Sequence, residues 1–246
     1  MKRIVLITGS SRGIGAETAR VLAARGDHVV VNYREKRKRA ETIAAEIRAA
    51  GGSASTAGAD IADPGSATAL IDGVVAEFGR LDVLVLNASG GLERDAAPDY
   101  AMALNRDAQA HLTRTALPHL PRGGRLVFVT SHQAHFSATR PVPTGYEPIA
   151  ASKRAGEDAL RAMVPEFDSR GITFTVVSGD MIDGTIIVRL LERRDPDAVT
   201  ARRDQGALPT IEDFATAIAD ATIAPAPDNH TVYVGGQDFP LLTPAP

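Results

Sequence analysis

The chain has 246 residues, 44% of them apolar and 23% charged, with a formal net charge of −3 and no cysteine. That length and apolar share suffice for one large buried core, so a single domain over residues 1–246 is expected. The lack of a basic excess argues against a nucleic-acid partner, and the lack of cysteine removes disulfides, thiolate metal sites and cysteine nucleophiles, as suits a reducing cytoplasm.

From the N-terminus, the apolar run 4–7 leads straight into a glycine turn, the pattern of a buried strand and not of a signal peptide. Helical spacing follows over 14–24, a β-branched strand over 29–31, a helix over 37–50, a weaker strand over 53–57 and a helix over 67–78. The basic run Arg37, Lys38, Arg39 reads as a solvated helix face. Then come a strand over 83–86, a helix over 100–117, a strand over 126–129, a helix over 150–167, and strands over 173–177 and 231–234. No apolar run approaches the roughly 18 residues of a membrane helix, so no span is expected and a cytoplasmic location is. Strands alternating with helices lie parallel, joined by right-handed crossovers. This predicts an α/β fold: a Rossmann-type doubly wound, mainly parallel seven-stranded sheet with helices on both faces. Two segments break the rhythm: about 132–147, rich in proline and small residues, and 183–208, rich in charge. Both leave the carboxyl ends of strands, where ligands of such sheets bind, and are expected to be the substrate loops.

Between the first strand and the first helix stands Thr8-Gly9-Ser10-Ser11-Arg12-Gly13-Ile14-Gly15. Glycines there let the backbone approach a pyrophosphate, whose charge meets the free amides and positive end of the helix. After the second strand, Asn32-Tyr33-Arg34 lacks the acidic residue that would accept from a free ribose hydroxyl. Arg34 and Arg12 instead supply two guanidinium groups suited to a 2′-phosphate, so NADPH is expected in preference to NADH.

The spacing TGxxxGxG is followed in order by Asp60-Ile61, Asn87-Ala88-Ser89-Gly90, Asn105, Ser131 and Ser178-Gly179. This succession resembles the short-chain dehydrogenase/reductase family over nearly the whole chain, although Leu86 replaces the first asparagine of the family's NNAG and Ser178 its usual proline. The resemblance implies a cofactor site of Gly9, Ser11, Arg12, Gly13, Ile14 and Gly15 in the turn, with Asn32, Tyr33 and Arg34 beside the adenosine. It adds Asp60 and Ile61 at the adenine, Asn87, Ala88 and Ser89 after the fourth strand, and Lys153, Ser178, Gly179 and Ile182 near the nicotinamide. It also implies a homotetramer or homodimer, with helices 100–117 and 150–167 at one interface and the tail 235–246 at another.

The family's catalytic tyrosine lies four residues before its lysine, but that position here is Ile149, which cannot donate a proton. Tyr146, seven residues before Lys153 and near the same helix face, resembles the Tyr-x6-Lys spacing of the enoyl-acyl-carrier-protein reductases, above all their NADPH-dependent bacterial subtype. The runs Asn87 to Gly90 and Val177 to Asp183 resemble that subtype too. The resemblance implies Tyr146, Lys153, Ser131 and Asn105 as catalytic residues, with Tyr146 stabilising an enolate oxygen and Lys153 holding the nicotinamide ribose. Pro148 suits the first position of a helix, which leaves Tyr146 just outside it. Ser131, His132 and His135 are alternative donors, both histidines otherwise being exposed loop residues. Three functions stay open. The leading one is NADPH-dependent reduction of the double bond of an enoyl thioester; the second is ketoreduction of a 3-oxoacyl thioester or polyketide. The third is an NADPH-binding sensor without turnover, favoured by the inert Ile149 and opposed by Ser131, Asn105 and Lys153. The expected partner is a small-molecule or acyl-thioester substrate, free or on a carrier protein, with no catalytic metal.

Overall fold

A computed structural model describes residues 2–91, 97 and 99–236. The strands are β1 (Ile4–Ile7), β2 (His28–Tyr33), β3 (Ser53–Gly58), β4 (Val83–Leu86), β5 (Arg125–Ser131), β6 (Thr173–Gly179) and β7 (Thr231–Val234). They form one seven-stranded sheet in the order β3-β2-β1-β4-β5-β6-β7, every pair parallel. The helices are α1 (Gly13–Ala24), α2 (Arg37–Ala49), α3 (Pro64–Phe78), α4 (Tyr100–Met102), α5 (Ala108–Ala116), α6 (His132–His135), α7 (Glu147–Arg161), α8 (Val164–Arg170), α9 (Ile186–Arg194), α10 (Pro196–Asp204) and α11 (Ile211–Ala221).

Alternate residues of each strand enter opposite layers, as the two-residue period of a strand requires. Val5, Ile7, Val29, Val31, Val83 and Val85 pack with residues of α1, α2 and α11, while Leu6, Leu84, Leu126 and Phe128 pack with those of α3, α5 and α7. Both faces are covered, which is why the central strands read as unbroken apolar runs. Burial of each large apolar side chain contributes about 1.5–3 kcal/mol, so these two layers carry most of the cohesion.

The helix boundaries differ from expectation where proline and capping residues act. α3 begins at Pro64 because Asp63 caps it, its side chain accepting from Ser66 N at 2.7 Å. The helix expected over 150–167 begins earlier and breaks into α7 and α8: Pro165 lacks an amide and its ring clashes with the carbonyl four residues back, that of Arg161. The helix expected over 100–117 forms one rod, α4 to α5, widened by a π-helical turn over Ala103–Asp107. The segment 183–208 is not a loop. Thr185 caps α9, accepting from Val188 N at 3.3 Å, and Asp195 with Pro196 starts α10, accepting from Ala198 N at 3.2 Å. Within 132–147 the first four residues are the helix α6. Of the expected interface tail 235–246, residues 237–246 lie outside the described residues.

Sequence order reverses about β1, with β2 on one side and β4 on the other. In an open parallel sheet this switch point opens a crevice at the carboxyl ends, and the glycine turn leaves β1 into it.

Candidate active site

Side chains hold the glycine turn in place. Thr8 Oγ1 accepts from the amides of Asn87 and Ala88, both at 3.0 Å, and Asn87 Nδ2 donates to the Thr8 carbonyl at 2.9 Å, which locks the ends of β1 and β4 together. Ser10 Oγ donates to the Ile7 carbonyl at 2.7 Å and accepts from the Asn32 amide at 3.0 Å, tying the turn to β2. A Cβ on Gly9, at φ +62°, would come within 3.0 Å of Ala88, and one on Gly15 within 2.5 Å of Asn87 Nδ2. The first amides of α1 have no intrahelical partner, and no acidic residue stands in that turn. This cradle of N–H groups at a positive helix end fits a pyrophosphate.

Several residues expected at the cofactor have side chains already engaged within the protein. Asn32 is buried: Oδ1 accepts from Gly9 N at 3.1 Å, and Nδ2 donates to the carbonyls of Ala57 and Ala59 at 3.2 and 3.3 Å. Its polar atoms are thereby spent on holding the turn against β3. Ile61 lies in the core, and Asp60 caps its own turn by accepting from Ala62 N at 3.0 Å. Tyr33 lays its ring on Gly58, where a Cβ would meet the phenol oxygen at 2.9 Å. Arg34 is exposed and bonds the Tyr100 hydroxyl and Glu35. Arg12, just before α1, is exposed and makes no capping bond with its side chain.

At the other end of the crevice, Ser131 closes β5 opposite Gly179 and caps α6, Oγ accepting from Ala134 N at 3.3 Å. Tyr146 is the cap of α7, and Pro148 takes the second helical position, where a missing amide costs nothing. The Tyr146 carbonyl accepts from the amides of Ile149 and Ala150 at 3.1 and 2.9 Å. Its side chain is only 5% exposed, and its hydroxyl lies 3.4 Å from Ser131 Oγ. The tyrosine thus reaches Ser131 from outside the helix. Ile149 buries itself among Ala101, Ala134 and Ala150. Burial raises the Tyr146 pKa above its ordinary value, against the lowering effect of the Ser131 bond, so at neutral pH the phenol keeps its proton. Burial also lowers the Lys153 ammonium to about 8. Among the described residues nothing hydrogen-bonds or pairs with Lys153, a buried cation free for an incoming ligand's hydroxyls.

Asn105 lies at the centre of the π-helical turn. Its Nδ2 donates to the Gly90 carbonyl and to Ser152 Oγ, both at 2.9 Å, and its Oδ1 accepts from Gly90 N at 3.3 Å. The side chain therefore positions the segment after β4 against α7. Gly156 permits this approach, since a Cβ there would stand 2.0 Å from the Asn105 carbonyl.

The histidines are not exposed loop residues. His132 Nε2 lies 3.0 Å from the Gly235 carbonyl, which only accepts, so Nε2 carries the proton. Nδ1 then accepts from Ser178 Oγ at 2.8 Å, a tautomer set by the partners. Desolvation lowers the His132 pKa, consistent with a neutral ring. Ser178, expected beside the nicotinamide, is buried with its hydroxyl committed to His132. His135 sits between Glu157 at 2.9 Å and the Tyr233 hydroxyl at 3.1 Å. Gly179 is kept bare by Phe214, 2.7 Å from its Cβ position, and Ile182 packs into the layer with α11.

The helices α9 and α10 cover this end. Ile187 and Val142 pack against the cluster holding Tyr146, and a cavity of about 10 Å³ remains between residues 144–146 and Ile187, Leu190, Leu191 and Arg194. Arg202 Nε donates to the buried Asp180 at 2.5 Å, pinning α10 just beyond β6. The sequence offers no local signal for the roles of Ser152, Glu157 and Asp180, each of which works through a partner distant in the chain. Among the described residues no group of His, Asp and Glu is arranged to hold a metal, and no helix is long and apolar enough to cross a membrane.

Residues 3–195 match the family model of the short chain dehydrogenases. The chain is similar to versicolorin reductase stcU of Emericella nidulans, 32% identical over 82% of this chain and 78% of that one. It is also similar to 1-cyclohexenylcarbonyl-CoA reductase of Streptomyces collinus, 36% identical over 74% of this chain and 65% of that one. Among solved structures, a blue fluorescent protein from a metagenomic library in complex with NADPH superposes with a TM-score of 0.80 at 27% identity, covering 95% of this chain and 96% of that one. The angucycline C-6 ketoreductase LanV with bound NADP gives 0.74 at 26% identity, covering 94% and 93%. Agreement in both sequence and structure over so much of the chain makes the protein a member of the short-chain dehydrogenase family.

Proposed function

We propose that this protein is an NADPH-dependent reductase of an apolar ketone, in which Tyr146 and Ser131 hold the carbonyl oxygen. The observation that carries this reading is the 3.4 Å approach of their hydroxyls, which lets one substrate oxygen take hydrogen bonds from both. When bound, NADPH supplies the hydride. Tyr146, protonated at neutral pH, gives its proton to the oxygen as negative charge gathers there, and the carbonyl becomes an alcohol. Ser131 orients that oxygen, and Lys153 holds the nicotinamide ribose and keeps positive charge close to the phenol. The versicolorin reductase and LanV likenesses support this reading.

The turn amides, Arg12 and Arg34 hold the cofactor, and the solved relatives with NADPH and NADP support its identity. Arg34→Ala is expected to raise the Kd for NADPH about tenfold or more while leaving NADH nearly unchanged, since it deletes one charge-assisted contact to the 2′-phosphate. Fluorescence titration of both cofactors checks this, and an equal loss for both would contradict it.

A second reading, reduction of an enoyl thioester, draws support from the Tyr146 to Lys153 spacing and from the 1-cyclohexenylcarbonyl-CoA reductase relative. In it the same hydroxyls hold the thioester oxygen as an enolate, which then takes a proton at carbon. Following NADPH absorbance with a tetralone, an acetoacetyl thioester and a crotonyl thioester separates the two. Faster turnover of the ketones is expected, and turnover of the crotonyl thioester alone would overturn ketone reduction.

A further inference from the structure

Arg194 ends α9 and folds against the loop that delivers Tyr146: a Cβ on Gly145, at φ +79°, would stand 3.4 Å from Arg194 Nη1. With Ile187, Leu190 and Leu191, this guanidinium lines the cavity whose other wall is Thr144, Gly145 and Tyr146. Its neighbours on the covering helices already have carboxylates, Arg202 with Asp180, and Arg203 with Glu192 and Asp183. Arg194 has none among the described residues. Cations in the last turn of a helix offset its dipole, but Arg193 stands in that turn as well, and the dipole does not require a guanidinium laid on Gly145. Toward Tyr146, α9 therefore presents an apolar stretch that ends in an exposed cation with no carboxylate partner among the described residues.

We infer that Arg194 binds an anionic group of the substrate, so that this enzyme prefers apolar ketones bearing a carboxylate or phenolate. This rests on the ketone-reduction reading above. The rise from Ile187 to Arg194 is about 10 Å, so the anion belongs within roughly that distance of the carbonyl held at Tyr146. A planar guanidinium suits a carboxylate in a two-bond fork; Arg194 is exposed and so open to an incoming anion, and Ile187, Leu190 and Leu191 supply an apolar wall beside it.

The test compares binding of a tetralone carboxylic acid and its methyl ester to the complex of the protein with NADP⁺, by titration calorimetry. The wild type is expected to bind the acid about tenfold more tightly than the ester. Arg194→Gln is expected to remove that preference without weakening the ester, and Arg194→Lys, which keeps the charge and loses the fork, to retain part of it. Absence of the preference in the wild type, including failure of both probes to bind, overturns the inference, as does an unchanged preference in Arg194→Gln. Turnover of the same probes is read separately: preferential binding of the acid without reduction of either would defeat ketone reduction and leave the charge preference standing.

Discussion

Tyr146→Phe is expected to lower kcat for ketone reduction by about a hundred- to ten-thousand-fold, the usual worth of a positioned acid, with little change in KM. The substitution removes one oxygen and leaves the ring among Ala101, Ala134, Ile149 and Ala150, so the cluster that fixes the start of α7 stays filled. The lost hydroxyl is the one 3.4 Å from Ser131 Oγ, and no tyrosine stands at position 149 to replace it. The wild-type rate carries a second signature. Lys153 titrates at about 8, lowered by burial, so its positive field is present below that pH and fades above it, and the rate falls as pH rises through about 8. Steady-state kinetics from pH 6 to 9 measure both effects. A less than threefold fall in kcat for Tyr146→Phe would remove Tyr146 from the mechanism.

Much of the frame is legible because it is local. The turn Thr8 to Gly15 follows one apolar run and opens one helix, and the unbroken apolar strands announce a sheet covered on both faces. The spacing from Tyr146 to Lys153 points to a tyrosine whose hydroxyl lies 3.4 Å from Ser131 Oγ, but helical periodicity does not put it there. Its hydroxyl reaches Ser131 because the preceding loop turns back, with the Tyr146 amide donating to the Pro143 carbonyl, and because Tyr146 lies outside the helix whose periodicity suggested it. The roles of Asn32 and Asn105 are less legible. Each occupies a family position, yet a buried amide must satisfy its own donors and acceptors, and both spend theirs on backbone and Ser152. His132 and His135 sit in a tract of small residues and proline that reads as surface, whereas Ser178, Gly235, Glu157 and Tyr233 all meet them from far along the chain. No local pattern encodes such contacts. The helices α9 and α10 carried usable signals, the caps Thr185 and Asp195-Pro196, masked by a charge-rich composition typical of loops.

Arg161→Gln is expected to cost about 3–5 kcal/mol of folding stability near neutral pH, as removal of one partner of a buried ion pair does. Glu157 is fully buried on α7, one turn beyond Lys153. Its carboxylate accepts from Arg161 Nε at 2.8 Å and lies 2.9 Å from His135 Nδ1. Arg161 also donates to the Asn229 carbonyl at 2.9 Å and to Thr231 Oγ1 at 2.6 Å, so one guanidinium joins α7 to the start of β7. Burial alone would raise the Glu157 pKa; the bonds and charges of His135 and Arg161 outweigh it and set the pKa below the ordinary value. With its folded pKa depressed, Glu157 contributes stability that is full above the ordinary glutamate range and lost as pH falls through the folded pKa. Without Arg161 the carboxyl pKa rises, and the variant no longer has that contribution to lose. The gap between the two proteins is therefore widest near neutrality and closes in acid. Urea unfolding at pH 7.5 and at pH 4.5 measures it. A gap below about 1 kcal/mol at pH 7.5, the worth of an exposed pair, would mean that water already reaches Glu157. The same ion pairs lie close to the proposed site, because His135 stands four residues after Ser131 and Glu157 four after Lys153. The clamp from α6 to α7 therefore grips both sides of the hydroxyl pair at Ser131 and Tyr146.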